Sequence, residues 1–225
     1  MTETAVRIRT FNARRGRVSP QRDDTFQRLW PVFGVPVAEQ PLDLEATFGR
    51  RAPLVLEIGS GMGEASAAMA AADPDRDYLA VEVHYAGIAN LMGLLERSGA
   101  TNARVARGDA ITLLTRMLTP GSVDAIHIFF PDPWPKPRHH KRRLIRPENV
   151  PLLRDVLRPG GSLHLATDWP GYAQVMLEVI GADSTFVNTT SGYAQRPDWR
   201  PVTKFEQRGI AEGRPIADLV FRRAA

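Results

Sequence analysis

An α/β fold is predicted, with a mostly parallel sheet, helices on both faces and one antiparallel closing strand. Three observations predict it. From residue 54 onward, short apolar runs alternate with Ala- and Leu-rich stretches at the spacing of βαβ units. The first run leads directly into a glycine-rich turn, Gly59-Ser60-Gly61-Met62-Gly63. Acids then follow successive runs: Glu82, Asp109, Asp132 and Asp168. In such sheets, ligands bind at the carboxyl ends of the strands.

Taken in order, residues 54–58 form a buried strand and the Ala-rich residues 64–72 a helix. Residues 78–83 are a second strand and 86–98 a second helix. Residues 103–106 are a third strand, and 110–118 a helix. The apolar run 123–130 is a fourth strand. A helix over 146–157 is stopped by Pro159-Gly160-Gly161. Residues 162–167 are a fifth strand, 172–180 a helix, and 185–188 and 218–222 close the sheet. Residues 1–50 lack a clear period and carry Pro20, Pro31, Pro36 and Pro41. They are expected to form a basic, partly mobile N-terminal extension, with a short helix over 25–30 packing through Phe26, Leu29, Trp30 and Phe33. Residues 51–225 are expected to form the main domain.

Composition narrows the function classes. With 225 residues and 43% hydrophobic content, one substantial core is expected. No Cys is present, which excludes disulfides, thiolate metal sites and a thiol nucleophile. No run is long enough to span a bilayer and no apolar signal core opens the chain, so no membrane association and a cytoplasmic location are expected. The net charge is only +4, but it is concentrated. Arg7, Arg9, Arg14, Arg15, Arg17 and Arg22 form one acid-free island; Lys136, Arg138, Lys141, Arg142, Arg143 and Arg146, with His139 and His140, form another. Arg-rich islands on a nearly neutral body suit a polyanion. His139 and His140 have no third metal ligand nearby in sequence, so no metal is expected.

The densest chemistry lies at residues 129–143, FFPDPWPKPRHHKRR. Its four prolines disfavour a helix and stiffen it as an extended loop. Asp132 and Trp134 stand ahead of the basic run. Trp134 fits two roles, a platform for an unstacked base or a core aromatic.

The glycine turn and the acids suggest a nucleoside pocket. Gly59 and Gly61 permit a tight turn and close ligand approach. The spacing is G-x-G-x-G, with Glu57 just before it. An anion there is unfavourable for the pyrophosphate of a dinucleotide and suits the sulfonium and ammonium of S-adenosylmethionine. Glu82 can accept both ribose hydroxyls. Asp109 can accept from the adenine amine, cap the next helix, or both. Asp168, at the end of the fifth strand, has the same ambiguity between a ligand contact and a helix cap.

These residues resemble one family, the bacterial tRNA (guanine-N7-)-methyltransferases. The resemblance rests on LEIGSGMG (56–63), VEVH (81–84), FPDPWPK (130–136), HHKRR (139–143), ATDW (166–169) and TKFE (203–206), in that order along the chain. It implies a Rossmann-like class I methyltransferase sheet, S-adenosylmethionine as cofactor, and the guanine of the tRNA variable loop as substrate, without an obligate protein partner. It also implies cofactor contacts at Glu57, Glu82, Asp109 and Asp132, with Asp132 as the active-site position. Substrate contacts fall on Lys136, Asp168, Thr203, Lys204, Phe205 and Glu206, and the RNA-contacting run on Arg138, His139, His140, Lys141, Arg142 and Arg143. Residues 203–206 follow a turn-rich stretch and are expected to form a flexible loop closing over the site. Two rival functions remain: an amino-methyltransferase acting on adenine N6 or cytosine N4, for which Asp132-Pro133-Trp134 is a loose fit, and a non-catalytic RNA-binding scaffold.

Overall fold

The structure, a computed structural model, describes Thr10, Phe11 and residues 18–225. Arg7, Arg9, Arg14, Arg15 and Arg17 of the N-terminal island lie outside the described residues. Eight strands form one sheet: β1 (Gly34–Pro36), β2 (Leu54–Ile58), β3 (Asp77–Glu82), β4 (Ala103–Arg107), β5 (Val123–Phe129), β6 (Leu157–Thr167), β7 (Phe186–Asn188) and β8 (Ala217–Arg223). Their spatial order is β1-β4-β3-β2-β5-β6-β8-β7. All pairings are parallel except those of β8 with β6 and β7, so β8 alone runs against the rest, as the sequence predicts. The chain steps outward from β2 through β3 to β4, then returns to β5 on the other side of β2. That reversal opens a crevice at the carboxyl ends of β2 and β5.

Strand alternation sorts the core into two layers. Leu54, Leu56, Ile58, Ile126 and Ile128 face α6 (Val150–Val156), α7 (Pro170–Gly181) and the turn at Leu113–Met117. Val55, Tyr78, Ala80 and Val105 face α1 (Pro20–Phe33), α3 (Glu64–Ala72) and α4 (Tyr85–Ser98). Leu56, Leu79, Ile126 and Met92 are fully buried, and truncating one of them to Ala would cost roughly 2–5 kcal/mol.

Four local expectations need correction. The helix expected over 110–118 is a three-residue helix, α5 (Ala110–Thr112), continuing into a π-helical turn at Leu113–Met117. The helix expected over 146–157 is a 3-10 turn, Pro147–Asn149, followed by α6. Pro159-Gly160-Gly161 does not separate it from the next strand. Those residues lie within β6, where Gly160 takes φ 73° and the β5 pairing shifts register between Val123 and Ala125. Residues 20–36, read as aperiodic, supply α1 and the edge strand β1; Phe26, Leu29 and Phe33 of α1 are buried as expected. A further short helix, α2 (Leu44–Phe48), has no counterpart in the sequence reading. No described helix is long and apolar enough to cross a membrane, and the described residues contain no group of acids and histidines arranged to hold a metal.

Candidate active site

At the crevice, a cavity of about 230 Å³ is bounded by Gly59 and Gly61 after β2, Glu82 at the end of β3, Gly108 after β4 and Asp132 after β5. Gly59 and Gly61 have φ of 82° and 58°, which side-chain-bearing residues rarely adopt. The turn is also pressed by α4, because a Cβ at Gly87 would stand 2.0 Å from the Gly61 carbonyl oxygen.

Glu82 is buried, and its carboxylate is fixed by the backbone. Oε2 accepts from the Gly61 N–H at 2.8 Å, and Oε1 accepts from the N–H groups of Val83 at 2.6 Å and His84 at 2.9 Å. Three of its roughly four acceptor positions are used, leaving capacity on Oε2 for a hydroxyl donor in the cavity.

Asp132 owes its position to an unusual backbone. Phe130 and Trp134, with φ of 51° and 44°, are the only described non-glycine residues with positive φ, and they bracket Pro131-Asp132-Pro133. Strain of this kind is tolerated where surrounding structure holds it, commonly at a working site. Packing around the carboxyl raises the Asp132 pKa above its ordinary value, partly opposed by His84 and Arg142. The cavity lining holds the carboxylates of Glu82 and Asp132 and, among the described residues, no Lys or Arg. The described lining offers a pyrophosphate no Lys or Arg, and its two carboxylates suit a ligand that carries positive charge.

The other sequence-derived positions divide. Phe205 lines the mouth of the cavity, 60% exposed, its ring near-parallel to that of Phe130 with 6.5 Å between centroids. Asp109 lies beside the cavity residues Gly108 and Ala110 and caps α5, accepting from the Ile111 N–H at 3.0 Å. Glu57 does not line the cavity. Strand alternation turns it with Val55 toward α3, where it accepts from the Ser66 hydroxyl at 2.5 Å. Burial pushes its pKa up to about 7, against the Ser66 hydrogen bond and with a further push from Glu82. Asp168 is paired with Arg214 at 2.7 Å.

Residues 203–206 are not a flexible loop. Thr203 caps α8 (Lys204–Ala211), accepting from the Glu206 N–H at 3.1 Å, and Lys204 pairs with Glu64 at 2.6 Å. Glu206, expected among the substrate contacts, is buried here, and both its oxygens accept from Arg200.

The basic run also divides. After the extended stretch 131–136 it forms a 3-10 helix, Pro137–Arg142, because prolines are well accepted at a first helical position. Lys136, Arg138, His140 and Lys141 are exposed, and His139 is half-buried against the Trp134 edge. Arg142 lies 3.8 Å over the Trp134 ring and donates to the Phe11 carbonyl at 2.9 Å. One face of Trp134 is therefore occupied, and the open aromatic at the cavity is Phe205. Arg143, expected within the RNA-contacting run, is 5% exposed, stacks over Tyr172 at 4.6 Å and donates to the Pro133 carbonyl at 2.8 Å. In this arrangement it props the loop from inside.

Sequence reasoning missed the cluster behind α8, formed by Arg200, Asp218 and His164. Its one sequence signal is Asp218 beside the apolar run Leu219-Val220-Phe221 in a closing strand.

Comparison with known proteins agrees with this geometry. A profile of the family described as "Putative methyltransferase" matches residues 51–219. A protein of Nitrosomonas europaea named tRNA (guanine-N(7)-)-methyltransferase is 51% identical over 218 residues, covering 97% of each chain. One of Streptomyces avermitilis with the same name is 54% identical over 219 residues, 96% of this chain and 76% of the relative. Among solved structures, the 16S rRNA methyltransferase KamB superposes with a TM-score of 0.58 at 16% identity, covering 83% of this chain and 96% of its own. The antibiotic-resistance methyltransferase Kmr superposes with a TM-score of 0.54 at 20% identity, covering 81% and 92%. These two likenesses concern the fold, which is that of Rossmann-like methyltransferases.

Proposed function

The chain belongs to the tRNA (guanine-N(7)-)-methyltransferase family, and from that premise we propose that it methylates N7 of a guanine in the tRNA variable loop with S-adenosylmethionine as donor. When bound, that cofactor supplies an electrophilic methyl group on a sulfonium. The observation that carries the proposal is Asp132, held by two left-handed residues on a cavity whose other carboxylate is Glu82 and whose lining holds no described Lys or Arg.

Guanine N7 has an in-plane lone pair and no hydrogen. No residue of the chain need remove a proton, so the task of the site is alignment and electrostatics. Gly59 and Gly61 give the nucleoside backbone-deep access, and Glu82 accepts from its ribose. Asp109 sits where it can meet the adenine while capping α5. Asp132 either holds the cofactor's methionine end or stabilises the positive charge that develops on the purine. Phe205 offers the purine an aromatic face at the mouth, and Asp168 an acceptor for N1–H and the 2-amino group once it shares or leaves Arg214. Lys136, Arg138 and Lys141 grip the RNA backbone without reading its sequence. The proposed division is a basic extension over residues 1–50, whose α1 and β1 pack on the sheet, and a methyltransferase domain over 51–225.

The test is to incubate the purified protein with unmodified tRNA and labelled S-adenosylmethionine, then map the product nucleoside. One 7-methylguanine in the variable loop is expected. N6-methyladenine or N4-methylcytosine instead would establish the amino-methyltransferase rival, and tRNA binding without methyl transfer would establish the scaffold.

A further inference from the structure

Among the described residues, the largest fully buried side chain is a cation, Arg200, at 0% exposed. It comes from the turn-rich stretch before α8. Its Nη1 donates to Glu206 Oε2 at 2.6 Å and its Nη2 to Glu206 Oε1 at 3.1 Å. Nη2 also donates to Asp218 Oδ2 at 2.9 Å, and Asp218 Oδ1 meets His164 Nε2 at 2.6 Å. One guanidinium thus ties α8 to β8 and, through Asp218, to β6. It also lies 5.6 Å from the ring centre of Phe129 and 5.9 Å from that of Phe130, where the chain leaves β5 for Asp132.

A buried ion pair contributes little net stability compared with apolar side chains of the same volume. What the guanidinium offers is geometry, because its planar fork meets carboxylates only in its own plane. Glu206 is the immediate neighbour of Phe205, and the fork therefore sets the rotation of the first turn of α8. A second anchor acts one turn on, at Gly209, where a Cβ would come within 2.9 Å of the Asp168 Cβ. Held at both points, α8 presents Phe205 outward to the same cavity that Asp132 lines.

We propose that Arg200 is a positioning residue for methyl transfer: by clamping Glu206 between α8 and β8, it fixes Phe205 at the cavity mouth where the purine is received. Arg200 touches neither cofactor nor substrate; it acts through Glu206 and Phe205. This rests on the function proposed above, so the wild-type enzyme is assayed first, and absence of 7-methylguanine there would overturn that function rather than this role.

The experiment uses the full chain and the variants Arg200→Lys, Phe205→Ala and their combination. The readouts are kcat and KM with unmodified tRNA and the stoichiometry and Kd of S-adenosylmethionine by calorimetry. Lys keeps the charge and loses the fork. Arg200→Lys and Phe205→Ala are each expected to lower kcat/KM for tRNA on the order of tenfold to a hundredfold, with a cofactor stoichiometry of wild type that shows the fold intact. The double variant is expected to be no worse than Phe205→Ala. Wild-type kcat/KM in Arg200→Lys, or losses that multiply in the double variant, would overturn the proposal. If Arg200→Lys fails to fold, Glu206→Gln replaces it, since it keeps the side chain's shape and breaks the ion pair. The same non-additivity with Phe205→Ala is then expected, and multiplying losses would overturn the role equally.

Discussion

The loop after β5 and the wall formed by residues 191–206 flank the same cavity, and both are rich in charge. They use that charge in opposite ways. On the loop, Lys136, Arg138 and Lys141 are exposed and pair with no described acid. On the wall, Arg200 is sealed and shared between Glu206 and Asp218. An exposed cation without an acid retains its field for an outside partner; a buried and paired one has spent it on geometry. Residue type does not separate the two roles. Burial does, and it separates even neighbours, since Arg143 belongs with the wall although it ends the loop's basic run.

The largest expected effect breaks the comparison at the loop's one acid, Asp132. Asp132→Asn should lower kcat on the order of a hundredfold or more while tRNA affinity, measured by filter binding, stays near wild type. Unchanged turnover would mean that Asp132 does not serve the reaction. The wild-type rate should fall as pH drops through the raised Asp132 pKa and the carboxyl takes up a proton. The acid limb of the kcat profile should therefore lie above the ordinary aspartate value of about 3.9, and a limb at or below that value would contradict the packing effect.

Next comes the buried acid, Glu57. Its pKa is raised to about 7 in the folded chain, so between the unfolded carboxyl's value and that point the folded state holds a proton which the unfolded state releases. Stability conferred by this group is full at low pH and declines as pH rises through that window, by roughly 3 kcal/mol in all. Denaturant melts at pH 5 and pH 8 should show this decline in the wild type and a flatter dependence in Glu57→Gln; an equal decline in both would rule the group out.

Smaller effects sharpen the division. Gly87→Ala drives a methyl group into the Gly61 carbonyl and should cost about 1–3 kcal/mol, with weaker S-adenosylmethionine binding by calorimetry. Retained cofactor affinity would show that the turn has room to yield. Arg143→Ala should cost a similar amount, about 1–3 kcal/mol, because it strips the packing on Tyr172 and leaves the Pro133 carbonyl without its donor. A thermal melt unchanged from wild type would contradict its inward role.

Much of the fold was legible because its signals are local. Alternation marks β2 to β5, and the glycine turn with Glu82 and Asp132 outlines the cavity in the sequence itself. What escaped depends on distant partners. Glu206 reads as a motif acid until Asp218 and Arg200 are brought beside it. Arg143 reads as one more basic residue until Tyr172, far along the chain, supplies a ring to cover it. Edge strand β1 exists through its pairing with β4, and Pro159–Gly161 joins a strand because a bulge absorbs it. Periodicity encodes which face a residue takes within an element; it does not encode which element comes to meet it.

The central claim, that burial divides one basic run into a grip and a strut, is tested most directly by the salt dependence of tRNA affinity. The plot of log K against log salt should lose roughly 2 units of slope in the Lys136→Ala, Arg138→Ala, Lys141→Ala triple variant and none in Arg143→Ala. Equal flattening in both would contradict the account.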